Sequence, residues 1–143
     1  MMRIEYPARL EQEDDGGFII EFPDLEGCFT SGDDREDALA MGREALTGWL
    51  GVAMDHGLDI PDPSAPEPGM VLVEPEPHVA VPLMLRSARR SAGISQGEMA
   101  RRMGIAYTSY QHLEYPKKFN ATMKSLERAT KALGLHLKIE FQP

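Results

Sequence analysis

One cysteine, Cys28, stands in a chain of 143 residues. A single thiol excludes a disulfide framework and a zinc ribbon, and it suits a reducing compartment. With no histidine near it in sequence, Cys28 reads as a small core residue rather than a nucleophile. Long apolar runs are missing too. No stretch approaches the roughly 20 residues of a membrane span, and the opening MMRIEYPARL holds no secretory apolar segment. These absences predict a soluble, cytoplasmic protein. The four histidines, His56, His78, His112 and His136, are scattered. No His/Cys metal spacing and no Gly-rich phosphate loop occurs. No cofactor, no metal and no catalytic residue is expected.

Basic residues are scarce in one part of the chain only. Residues 1–80 hold 4 Lys/Arg against 19 Asp/Glu, a formal −15, whereas residues 81–143 hold 11 against 4, a formal +7. The overall −8 therefore conceals two regions of opposite sign, which points to two domains with different partners. The basic region suits a phosphate backbone. The acidic region would repel DNA and suits a basic protein; plain solubility is the other reading of its charge.

Along the acidic region, Ile4, Tyr6, Ala8 and Leu10 alternate with Arg3, Glu5, Arg9 and Glu11, the pattern of a half-buried strand. Asp14-Asp15-Gly16-Gly17 is a strong turn signal, and Phe18, Ile20 and Phe22 resume the alternation. Leu25–Thr30 offers a third short strand. Asp33 or Asp34 then caps a helix from about Arg35 to His56, with Glu36 and Asp37 favourable in its first turn and Gly57 as its stop. Leu39, Leu46, Trp49, Leu50, Ala53 and Met54 share its inner face, with Trp49 the expected core anchor. Seven of the 11 prolines lie between Pro61 and Pro82, so this stretch is mostly extended loop. Met70–Glu74 is β-prone and can return to the sheet. The expected organisation is a β-β-β-α-β domain over 1–76, a linker over 77–82, and a second domain over 83–143.

The second domain carries the most informative stretch, ISQGEMARRMGIAYTSYQHLE, from Ile94 to Glu114. Ser95 is a good N-cap, with Glu98 at capping-box spacing. Met99, Ala100 and Met103 form an apolar stripe, and Gly104 can take the positive φ of a tight turn. A second helix, about Tyr107 to Glu114, turns Tyr110 and Leu113 inward and leaves Thr108, Gln111 and His112 outward. This is the layout of a helix-turn-helix whose second helix enters the major groove; an ordinary helical hairpin with a solvated face is the competing reading. A helix beginning near Leu83 precedes it, with Leu85 and Ala88 inward and Arg86, Arg89 and Arg90 outward. Asn120 or Thr122 caps a last helix, with Met123, Leu126, Ala129 and Leu133 inward. Finally Leu135, Leu137, Ile139 and Phe141 alternate with His136, Lys138 and Glu140, a strand with no partner in its own domain. An unpaired apolar strand invites another chain. The expectation is a homodimer joined through Leu135–Phe141, possibly of higher order; the alternative is that this strand joins the first domain's sheet.

Both regions resemble known families. SQGEMARRMGI, YQHLE and SLERATKALG resemble the phage-repressor-like helix-turn-helix domains. Tyr6-Pro7-Ala8, Gly17-Phe18 and FPDLEGCFTSGDDREDALAMGREAL, from Phe22 to Leu46, resemble the HicB antitoxins. The resemblance implies a type II toxin–antitoxin module. It implies an α+β fold: a degenerate RNase H-like β-β-β-α-β domain followed by an all-α helix-turn-helix domain ending in a β-strand. It further implies that the first domain occludes a HicA-type toxin, a small basic mRNA-cleaving protein, while the second binds operator DNA and represses the pair's own operon. Toxin-binding residues are not readable from the sequence.

Two-metal nuclease chemistry needs converging carboxylates. The acidic residues here lie mostly at turns or on outward strand positions, with Glu21 and Asp24 the least easily dismissed. For DNA, Gln96 is expected at phosphate, and Tyr107, Thr108, Gln111 and His112 at the groove, with Gln111 and His112 as the leading base readers. Lys117, Lys118 and Asn120 are expected at the backbone. A stand-alone regulator whose first domain senses a small ligand, and a DNA-tethered nuclease, are the competing function classes.

Overall fold

The computed structural model describes residues 3–143. The chain divides into two compact units between Ala80 and Val81, inside the stretch expected to be linker. Each unit is taken by itself.

The first unit contains strands β1 (Tyr6–Gln12), β2 (Phe18–Glu21), β3 (Phe29–Gly32) and β4 (Val71–Val73), with helix α1 (Arg35–Asp55) between β3 and β4. The four strands form one antiparallel sheet in the order β3-β2-β1-β4. The Asp14–Gly17 turn closes as expected. Gly16 has φ +90°, the Gly16 amide donates to the Glu13 carbonyl (3.0 Å), and Asp15 accepts from the Gly17 amide (2.9 Å). The third strand begins later than expected. Leu25 and Cys28 are buried but belong to a tight turn in which the Cys28 amide donates to the Leu25 carbonyl (3.0 Å). Pairing with β2 is possible only once that turn has closed.

Asp34 caps α1 by accepting from the Asp37 amide at 2.8 Å. The helix lays Ala38, Gly42, Leu46, Leu50, Ala53 and Met54 on the sheet, against Tyr6, Ala8, Ile20 and Phe22. Two glycines set how closely it lies. A Cβ on Gly32 would stand 2.3 Å from the Ala38 nitrogen, and one on Gly42 would stand 2.6 Å from Ile20 Cδ1. Trp49 is not the core anchor. It is half-buried and its Nε1 donates to the Glu26 carbonyl at 2.9 Å, so it clamps the turn before β3. An indole is too wide for a helix–sheet gap narrowed by glycine, and its N–H needs a partner.

The proline-rich segment is strapped down. The Tyr6 hydroxyl donates to the Pro61 carbonyl (2.8 Å), and Asp24 accepts from the Ser64 amide and hydroxyl (2.9 and 2.8 Å). Burial raises the Tyr6 pKa to about 12, with help from the Asp62 and Asp24 charges.

The expected linker is helical. Helix α2 runs Pro77–Ser91, opened by a proline, whose missing N–H costs nothing in a first turn. The Glu76 carbonyl accepts from the Val79 and Ala80 amides (3.0 and 2.9 Å). In the second unit α2 is followed by α3 (Gln96–Met103), α4 (Tyr107–Leu113), a 3-10 turn (Pro116–Lys118) and α5 (Met123–Ala132). Thr122 caps α5 through the Ser125 amide (3.1 Å). Met123, expected inward, is 52% exposed; as the first residue of the helix it lies outside the gap that Ala129 and Leu126 fill.

No strand forms over 135–143. A strand exists only beside another strand, and residues 135–143 are paired with none. Leu135, Ile139 and Phe141 are left 49%, 52% and 96% exposed.

Candidate functional site

The helix-turn-helix is built on a small apolar core. Leu85, Met99, Ala100, Met103, Tyr110, Leu113 and Ala129 are buried together, with Ile105 and Leu126 packed against them. Ser95 caps α3 by accepting from the Glu98 amide (3.1 Å). The return half of the capping box is absent, because the Glu98 carboxylate instead pairs with Arg101 and Arg102. Those two guanidinium groups hold its pKa down to about 2. Gly104 ends α3 in the left-handed conformation, φ +66°, and the Ile105 amide returns to the Ala100 carbonyl (3.0 Å). Helices α3 and α5 also exchange arginines: Arg102 donates to the Ala132 carbonyl (3.1 Å) and Arg128 to the Met103 carbonyl. Each cation sits at the negative end of the other helix.

Beneath α4 lies a buried ion pair that sequence spacing did not suggest. Arg89, expected to face outward, donates through Nε and Nη2 to the two Glu114 oxygens (2.7 and 2.9 Å) and through Nη1 to the Ile94 carbonyl (3.0 Å). The Arg89 and Glu114 side chains are 11% and 3% exposed. The hydrogen bond to Glu114 raises the Arg89 pKa further. Tyr110 is fully buried and its hydroxyl makes no well-directed hydrogen bond. Burial first, then the Glu114 charge, pushes its pKa up.

The pair reaches the surface through Gln96. The Gln96 amide nitrogen donates to Glu114 (3.2 Å), and its oxygen accepts from the Tyr107 hydroxyl (3.3 Å). Two residues expected at DNA are thus bonded to each other, and the first turn of α4 is tied to the start of α3. Thr108 and His112 are exposed one turn apart on α4. Gln111 is half-buried and Tyr107 is 50% exposed. Lys117 and Lys118 are exposed on the 3-10 turn after α4, and Asn120 is exposed in the loop beyond it. Ser109, exposed on α4, escaped the sequence reading because the apolar spacing of Tyr110 and Leu113 leaves it on a flank.

The two acidic residues singled out for nuclease chemistry have separate surroundings. Asp24 is engaged by Ser64, whereas Glu21 lies opposite Arg9 and Phe29 in the sheet. No described helix is long and apolar enough to cross a membrane.

Residues 5–81 match the model of a family described as HicB_like antitoxin of bacterial toxin-antitoxin system. The chain belongs to this HicB-like antitoxin family. Residues 85–139 match a helix-turn-helix family. Similar proteins include Antitoxin HicB 2 of Photorhabdus laumondii, 29% identical over 95% of this chain and 95% of that one. Antitoxin HicB of Escherichia coli K12 is 27% identical over 95% and 98%. Among solved structures, the Burkholderia pseudomallei antitoxin HicB matches with a TM-score of 0.46 at 21% identity, covering 70% of this chain and 93% of that one. This HicB-like chain thus joins an antitoxin-family unit, a four-stranded sheet with one helix, to a helix-turn-helix unit.

Proposed function

We propose that the chain is an antitoxin and autorepressor that acts in the cytoplasm. Its 1–76 region binds a HicA-type toxin and occludes the toxin's RNA site; its 83–143 region binds operator DNA and represses the operon encoding the pair. The observation that carries this reading is the union, in one chain, of a −15 antitoxin-family region and a +7 helix-turn-helix region. An acidic surface steers a basic RNA-binding protein, and a basic one holds phosphate.

Within the DNA site we rank Thr108 and His112 ahead of Gln111 as base readers, since both are exposed whereas Gln111 is half-buried. Lys117, Lys118 and Asn120 serve the backbone. Gln96 reaches phosphate only by loosening its bonds to Glu114 and Tyr107, so its first role is to hold Tyr107. The apolar tail Leu135–Phe141 pairs with the same tail of a second copy, and the dimer presents two recognition helices to half-sites about one helical turn, or a multiple of it, apart.

The test is co-expression with a HicA-type toxin encoded beside the gene, together with retention of the operon's promoter fragment in gels. Growth rescue, a stable complex and promoter retention are the expected outcome; failure of both bindings removes the reading. Removing residues 135–143 should give a weak or monomeric DNA binder, and an unchanged dimer refutes the tail assignment.

A further inference from the structure

The antitoxin-family unit carries a groove that its own core does not use. Beside the edge strand β3, a shallow apolar groove of about 390 Å³ is lined by Cys28, Phe29, Ala45, Trp49, Val52 and Leu58, among others. Val52 and Leu58 are 57% and 55% exposed, apolar surface that a solvated face does not need. Trp49 is the residue type that most often anchors an interface.

The strand beside it is an open edge. Residues 28–32 pair with 22–18, and the Phe22 amide donates to the Cys28 carbonyl (3.0 Å). In an antiparallel ladder bonded and non-bonded pairs alternate, so Thr30 and Gly32 bond to β2, and the N–H and C=O groups of Phe29 and Ser31 point away from it. Because β3 is the last strand of the sheet, that row of groups can pair with an added strand.

Charge selects the occupant. The groove is built from residues 27–29 and 45–58, and no Lys or Arg occurs in 10–34 or 44–85. Glu26, Glu44 and Asp59 flank those segments instead, and Asp55 lies within the second.

We propose that the β3 edge and the adjoining Trp49 groove form the docking surface for a small basic protein, which lays an extended segment along Phe29–Gly32 and sets an apolar side chain between Trp49 and Val52. This rests on the antitoxin reading and specifies where the toxin is held. The contact combines main-chain pairing, an apolar anchor and an acidic rim.

Val52→Glu in the full chain separates this surface from general attraction. It adds another negative charge, so a partner held by charge alone binds equally or better. A partner seated in the groove should bind at least about tenfold more weakly. Ser31→Pro removes one outward amide at an edge where proline is tolerated and should weaken binding severalfold. Calorimetry with the purified, catalytically inactivated HicA-type toxin reads both, with circular dichroism to verify folding. If the wild-type chain binds and Val52→Glu binds as tightly, the groove proposal is overturned while the antitoxin reading stands. If Ser31→Pro binds as tightly as wild type, the strand pairing is overturned. If the wild-type chain does not bind at all, both the reading and the groove proposal fall.

Discussion

The two units solve the same problem, burying a small apolar core, by different means. In the antitoxin-family unit the interior is apolar and its geometry is set by backbone approach: Gly32 and Gly42 let α1 settle onto the sheet. In the helix-turn-helix unit short helices bring few large side chains, and a bidentate ion pair, Arg89–Glu114, occupies the gap. Among the described residues Glu114 is the charged residue that is buried. A buried pair is a poor source of net stability but a strong specifier, because either partner alone is a desolvated charge. The first unit should therefore be sensitive to added volume and the second to lost charge.

The largest expected effect tests the second half of that contrast. Glu114→Ala leaves the Arg89 guanidinium buried without its carboxylate and releases Gln96, at a cost of about 3–5 kcal/mol. Unfolding should separate into two transitions, with promoter binding lost and toxin binding kept. The double variant Arg89→Met/Glu114→Leu should recover most of the loss. If Glu114→Ala shifts the midpoint by no more than a surface substitution does, the pair is not what orders the unit.

Gly32→Ala tests the first half. The new methyl would meet the backbone of Ala38, with the nitrogen at 2.3 Å and Cα at 2.6 Å, and backbone cannot step aside as a side-chain tip can. Overpacking of this kind costs about 3 kcal/mol. Toxin binding should fall with the stability of the sheet while promoter retention persists, the reverse of Glu114→Ala.

These contrasts also mark what the sequence could convey. Local signals were legible because they are local: Asp34, Ser95 and Thr122 cap the helices they precede, and Gly104 turns α3 into α4. Features that depend on distant partners were not. Arg89 looks like a solvent-facing arginine until Glu114, 25 residues on, comes beneath it. Trp49 has helical core spacing, but α1 lies too close to the sheet for an indole to enter. The 77–82 stretch contains two prolines, yet Pro77 begins a helix and Pro82 lies within it. The tail alternates like a strand yet forms none, because alternation marks a face and not a partner. Gln96 and Tyr107 both hold positions that spacing gives to DNA, and spacing does not reveal that they bond to each other.

Alkaline pH should sharpen the comparison from another side. Burial pushes the Cys28 thiol up to about 11, from an ordinary value of 9.0. The folded state therefore holds this proton more tightly than the unfolded chain does. Its contribution is whole below pH 9 and is lost as pH rises from 9 to 11, by about 1.4 kcal/mol per pH unit at most. Urea midpoints of the first unit should fall across that window, and Cys28→Ala should flatten the slope there. Alkylation of the native thiol at pH 8 should be far slower than in urea. A native thiol that reacts as fast as the unfolded one contradicts its burial.

The smallest effect is also the most discriminating, because it uses one helix as its own control. Gly42 and Gly48 both lie inside α1, and each alanine should gain helix propensity, about 1 kcal/mol. A Cβ on Gly48 meets nothing within 4 Å, whereas one on Gly42 stands 2.6 and 3.1 Å from two methyl carbons of buried Ile20. Gly48→Ala should raise the melting temperature by several degrees and Gly42→Ala should lower it. If both raise it, the sheet and helix can separate without penalty, and backbone approach is not what defines this unit. Gly48 also lines the Trp49 groove, so its added methyl occupies space meant for a partner's side chain. A more stable chain that holds its toxin more weakly would join the two arguments, since no change in folding accounts for that pairing of results.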